Sequence, residues 1–92
     1  VTEQTTFHVG DRRLDVSAFA DDFSAWCERH AVPERVLLAF QTALDDVLTN
    51  IVDYAGEARQ APIEVRVRLH PDALEAEVID DGVSFDPLDS AR

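Results

Sequence analysis

The sequence predicts an α+β fold, a two-layer sandwich with helices packed on one face of a mostly antiparallel sheet. Three observations predict it. Apolar residues recur at spacings of three and four through two long segments; strict alternation marks segments before and after them; and the resulting order is strand, helix, helix, hairpin. With 92 residues the chain has room for one domain, 1–92, because a chain this short buries only about 60 to 65% of its extended surface and cannot supply a second core.

Thr5 to Val9 alternates, with Thr5, Phe7 and Val9 on one face and Thr6 and His8 on the other, before the turn-forming Gly10-Asp11. This is the first strand. From about Leu14 to Arg29, Val16, Phe19, Phe23, Trp26 and Cys27 mark one face of a helix. Cys27 has no basic neighbour to activate it and reads as a small core residue. Pro33 and Glu34 suit a helix start, Pro by its fixed φ and Glu by complementing the helix dipole. The second helix runs from about Pro33 to Ala55, with Val36, Phe40, Leu44, Val47, Leu48, Ile51 and Ala55 on its apolar face and Gly56 placed to end it. Ile63 to Leu69 alternates again, and Leu74, Ala76 and Val78 continue the pattern. With Pro71-Asp72 as the turn, Arg68 falls opposite Glu75 and Arg66 opposite Glu77, while apolar residues meet on the other face.

Charge narrows the function. Nineteen acidic residues against eight basic ones, all Arg, give a net charge of -11, which repels nucleic acid and anionic lipid. The lack of Lys excludes a Walker-type phosphate loop. One cysteine and three scattered histidines give neither an internal disulfide nor a zinc spacing. No apolar run is long enough to span a membrane and no signal-peptide pattern opens the chain, so the expected location is cytoplasmic.

Two segments carry candidate chemistry. In the second helix, Asp46 and Asn50 stand four residues apart and project from one side, at the margin of the apolar stripe. An Asn carbonyl oxygen can ligate Mg²⁺, and a carboxylate can accept a proton; the plainer reading is a pair of solvated polar residues. In Val78 to Pro87 a strand runs into a turn, and strand parity points Asp80 to the face shared by Leu74, Ala76 and Val78, under the helices. A partly buried carboxylate needs a hydrogen-bond partner, which an exocyclic amine could be. Gly82 allows close backbone approach. The plainer reading there is an acidic turn.

Together the segments resemble the N-box and first glycine box of Bergerat-fold ATP-binding domains, the superfamily of gyrase, histidine kinases and mismatch-repair ATPases. Asp46 and Asn50 match the acid and Asn of the N-box; Asp80, Gly82, Ser84 and Phe85 match the glycine box. The resemblance is strongest to the anti-sigma-factor serine kinases of bacterial partner-switching systems and covers nearly the whole chain. It implies ATP and Mg²⁺ as ligands, with Asn50 on the metal and Asp80 accepting the adenine amino group. Gly82 would line the base pocket, and Ser84 belongs with the same nucleotide-binding set. Asp46 is implied as the base that activates a Ser hydroxyl of an antagonist protein. The implied partners are that antagonist and a sigma factor. Asp46 stands where Glu is usual, Tyr54 where His is frequent and Ser84 where Gly is frequent. The lid and second glycine box do not occur before Arg92, so the resemblance implies a domain incomplete at its C-terminus, and the apolar face and sheet edge this leaves open make a homodimer expected. The alternatives are a non-catalytic binding or dimerisation module of the same fold and the catalytic domain of a sensor histidine kinase.

Overall fold

The structure is a computed structural model that describes residues 2–10, 12–55, 62–80 and 83–85. Its elements follow the order β1 (Glu3–Val9), α1 (Arg13–Arg29), α2 (Glu34–Ala55), β2 (Ile63–His70), β3 (Ala73–Asp80) and β4 (Val83–Phe85). The four strands form one sheet in the order β1-β2-β3-β4, every pair antiparallel. The helices lie on one face, so the α+β two-layer expectation holds.

Local chemistry sets the helix ends. Arg12, in extended conformation, precedes α1, and its backbone N–H donates to Asp15 Oδ2 at 3.1 Å. The Arg12 Nε donates to the same oxygen at 3.3 Å, and the guanidinium holds the Asp15 carboxyl below its ordinary range. An acid here also complements the helix dipole. At the other end, Ala31 takes a left-handed φ of 56°. Its N–H donates to Glu28 O at 3.1 Å and that of Val32 to Cys27 O at 3.0 Å, the paired closing bonds of a Schellman motif. Pro33 lies just before α2 rather than within it, its carbonyl accepting from Leu37 N at 3.0 Å. The proline thus fixes the approach to the helix without removing any intrahelical bond. Gly56, the expected stop, lies outside the described residues.

The hairpin pairs as its charges require. Arg66 is opposite Glu77 and Arg68 opposite Glu75, with His70 hydrogen-bonded to Glu75 on the same open face. Arg66 also reaches Glu64 at 3.2 Å. On the other face Val65 pairs with Val78 and Val67 with Ala76, under the helices. One difference from the sequence expectation is β4. Val83–Phe85 pairs antiparallel with Val78–Asp80, so the segment read as a turn carries a short added strand.

The core lies between layers. Phe23, Cys27, Leu44, Leu48, Ile63 and Val65 have no exposed surface, and burying each large aliphatic or aromatic side chain stabilises the fold by about 1.5 to 3 kcal/mol. Phe7 meets Phe19 edge-on at 5.3 Å between ring centroids, and Phe19 stacks on Phe23 at 5.7 Å. Burial pushes the Cys27 thiol up to about 11, as suits a packing residue and not a nucleophile.

Candidate functional site

The candidate residues sit where two layers end together. Glu3, at the start of β1, is opposite Leu69, and Val9, at its end, is opposite Ile63; Glu64 in turn is opposite Ile79. Val9, Ile63 and Asp80 therefore lie at one end of the sheet. Helix α1 begins at that end, four residues beyond Val9, and Arg13 in its first turn grips Asp53 of α2. Arg13 Nε donates to Asp53 Oδ1 at 3.1 Å and Nη2 to Oδ2 at 2.8 Å. This two-pronged pair draws the Asp53 carboxyl below its ordinary range and raises the Arg13 guanidinium, in both cases first through the side-chain hydrogen bonds. It ties the C-terminal half of α2 to the end of the sheet where β3 finishes.

Lengths agree with this placement. Pro33, Val36, Ala73 and Leu74 border one hollow, so α2 and β3 start beside each other. From Glu34 to Asn50 the helix rises about 24 Å, and from Ala73 to Asp80 the strand advances about 23 Å. Asn50 and Asp80 reach the same level.

The helix turns Asn50 toward the β3 and β4 side. Gln41 marks the α1 flank, because its Nε2 donates to Ala20 O at 3.1 Å. Asn50 follows nine residues later, two and a half turns on, which puts it about 180° around the helix from Gln41. Helix α1 packs on β1 and α2 on β3, so the flank carrying Asn50 lies away from α1. Asp46, one turn earlier, is exposed like Asn50.

Asp80 is the last residue of β3, pairs with Val83 and is half-buried. It shares a face with Val78, which is fully buried, as strand parity requires. Ser84 stands opposite Ile79 in β4. Gly82 lies outside the described residues. Helix rise and strand register thus place Asn50 and Asp80 toward one end of the sandwich, with Asp46 one helical turn earlier. The hollow of about 430 Å³ at the opposite end, beside His30, Val36, His70 and Leu74, is lined by none of them.

Sequence reasoning missed the Arg13–Asp53 pair. Asp53 is exposed and follows Asp46 by seven residues, so by spacing alone it reads as one more solvated acid on the outer side of α2. Its partner lies 40 residues away in sequence, and no local pattern announces that contact.

The donor set suits a nucleotide. An exposed amide oxygen is a ligand for a hard cation, and a half-buried carboxylate can accept from an amino group. Among the described residues no three His, Cys, Asp or Glu side chains form a metal-holding group. No helix is long and apolar enough to cross a membrane among the described residues.

The model of one protein family, the histidine kinase-like ATPase domain, matches residues 11–92. That span contains the α2 segment with Asp46 and Asn50 and the hairpin with Asp80 and Ser84. Searches of curated proteins and of solved structures found no significant match.

Proposed function

Because the chain belongs to the histidine kinase-like ATPase domain family, an ATP-binding family, we propose that it is a cytoplasmic regulator that uses Mg-ATP to phosphorylate a serine of a partner protein. The observation that carries this reading is the position of Asn50 and Asp80 at a common end of the sandwich, inside the segment that the family model matches. Asp80 accepts a hydrogen bond from the adenine amino group, which fixes the base and selects against a purine with an acceptor there. Gly82 gives the base room to approach the backbone; Ser84, opposite Ile79 in the register, falls on the other face of the sheet from Asp80 and is left out of the base contact.

Asn50 presents its amide oxygen to the metal. When bound, Mg²⁺ draws negative charge off the phosphates and helps hold them in line for transfer. That neutralisation matters here, because the nucleotide is a polyanion and the chain carries a net charge of -11. Asp46, one helical turn before Asn50, orients the incoming serine hydroxyl and takes its proton. The proposed partners are an antagonist protein that carries the serine and a sigma factor, with the regulator working as a homodimer.

A second reading follows from Asp46 itself. Asp is one methylene shorter than Glu, about 1.5 Å of reach, and Asp46 is exposed on the helix surface. A non-catalytic module of the same fold would bind partners without turnover. Phosphotransfer from γ-labelled ATP separates the readings. A serine kinase labels a serine substrate and loses about 100-fold or more of its rate in Asp46→Ala; equal inertness of both proteins supports the module. Label on a histidine of a partner domain supports the sensor-kinase alternative.

A further inference from the structure

We propose that the outer edge of β1 is a docking strand for an extended, arginine- or lysine-bearing segment of a partner protein. It lies on the sheet edge opposite β4 and is independent of the nucleotide reading.

Among the described residues the edge is open and unguarded. In the order β1-β2-β3-β4 the strand has a neighbour on one side only, so every second backbone group of Glu3–Val9 faces outward without a ladder partner among the described residues. Protected edges usually carry Lys, Pro, a bulge or an inward-pointing charge. From Gln4 to Val9 there is none of these, and the register against β2 runs unbroken from Glu3–Leu69 to Val9–Ile63. In a chain of charge -11, a seven-residue strand with a single acid at its end stands apart.

A trough runs along this edge. Thr6, Phe7 and His8 form one wall, and Asp15, Ala18 and Asp22 of α1 the other, around a hollow of about 310 Å³. Asp15, Ala18 and Asp22 are spaced three and four apart and share one flank of α1. The small Ala18 opens the space between the two carboxylates. Arg12 offsets the charge of Asp15 in part, whereas Asp22 stands exposed on the rim.

These features select the occupant. An added strand pairs its backbone with β1 and turns alternate side chains toward α1. Those side chains meet the exposed Ala18 above the buried Phe19, then carboxylates beyond it. Arginine and lysine match this gradient, because their stems cover apolar surface and their heads reach acids. Asp15 and Asp22 are about 10.5 Å apart along the helix, within the span of basic residues two to four apart on a strand, about 7 to 13 Å. The acidic chain as a whole draws such a segment in.

The test uses the 92-residue chain and a capped, fluorescent heptapeptide that alternates arginine and threonine. Anisotropy measures its binding at low salt, and ¹⁵N spectra report which amides respond. The expected result is binding that shifts the amides of Gln4 to His8. N-methylation of alternate peptide residues should weaken it about tenfold, since blocked amides cannot pair. Asp22→Asn, a surface change that leaves the core intact, should weaken it roughly two- to fivefold. Equal binding of the N-methylated peptide overturns strand addition. So does a response centred away from β1, or the finding that a second copy of the chain already protects the β1 amides in the peptide-free protein.

Discussion

Replacing Ala31 by Gly should stabilise the protein. Ala31 occupies the left-handed position of the Schellman motif that closes α1, at φ 56°, where a Cβ crowds the following carbonyl and costs about 1 to 2 kcal/mol. Gly removes that cost but gives the unfolded chain more freedom, worth about 0.4 to 1 kcal/mol in the opposite direction. The net expectation is a gain of about 0.5 to 1 kcal/mol, and for a domain of this size a rise in Tm of about 2 to 8 °C. The bonds from Ala31 N to Glu28 O and from Val32 N to Cys27 O do not involve the side chain, so Gly can keep both. Urea unfolding followed through buried Trp26 should show a higher midpoint with an unchanged slope. Ala31→Val, with its branched side chain, should move the midpoint the other way. An unchanged or lower midpoint in Ala31→Gly would refute the reasoning, because the backbone would then not be under the cost assigned to it. Ala31 lines the hollow at the end of the molecule away from Asn50 and Asp80, so nucleotide affinity should not follow the change.

Other outcomes follow from the same contacts. Leu44→Ala removes a side chain with no exposed surface and should cost about 2 to 5 kcal/mol in urea unfolding. The Arg13–Asp53 pair should make stability fall with acid. The folded-state pKa of Asp53 is depressed below its ordinary value, 3.8, so the contribution is present above that value and lost as pH falls through the folded pKa. The urea midpoint of Asp53→Asn, measured from neutral pH downward, should therefore decline less steeply than that of the wild type. Cys27 gives the opposite sign: its thiol is raised from 9.0 to about 11, so its contribution is present below 9 and lost as pH rises toward 11. In the native state it should react with a thiol reagent only at the rate of opening, and promptly in urea.

Much of this architecture was legible because periodicity reports burial directly. Val16, Phe19, Phe23, Trp26 and Cys27 were read as one helical face, and all five are buried. The β2–β3 register could be read because two independent patterns, apolar alternation and the Arg66–Glu77 and Arg68–Glu75 pairings, agree on a single alignment. Strand β4 escaped because three residues behind a turn are too few to display alternation, and its pairing is a property of the hairpin rather than of the segment. The helix ends could be placed only to within a residue, since Arg12 and Ala31 are unusual residues for the capping positions they fill. For the candidate site, helical spacing and strand parity gave the side of each element on which Asp46, Asn50 and Asp80 lie. Their approach to a common end depends on chain reversals and on the long-range clamp between Arg13 and Asp53, which no local pattern encodes.

Titration calorimetry with Mg-ATP on the wild type, Asn50→Ala and Asp80→Asn tests the central claim most directly. Binding by the wild type should weaken about 10- to 100-fold in Asp80→Asn, as expected when a charged hydrogen bond to the base is lost. In Asn50→Ala the advantage of Mg-ATP over metal-free ATP should shrink toward none. Equal affinities for all three proteins, or no binding by the wild type, would contradict the assignment of Asn50 and Asp80 to a nucleotide site.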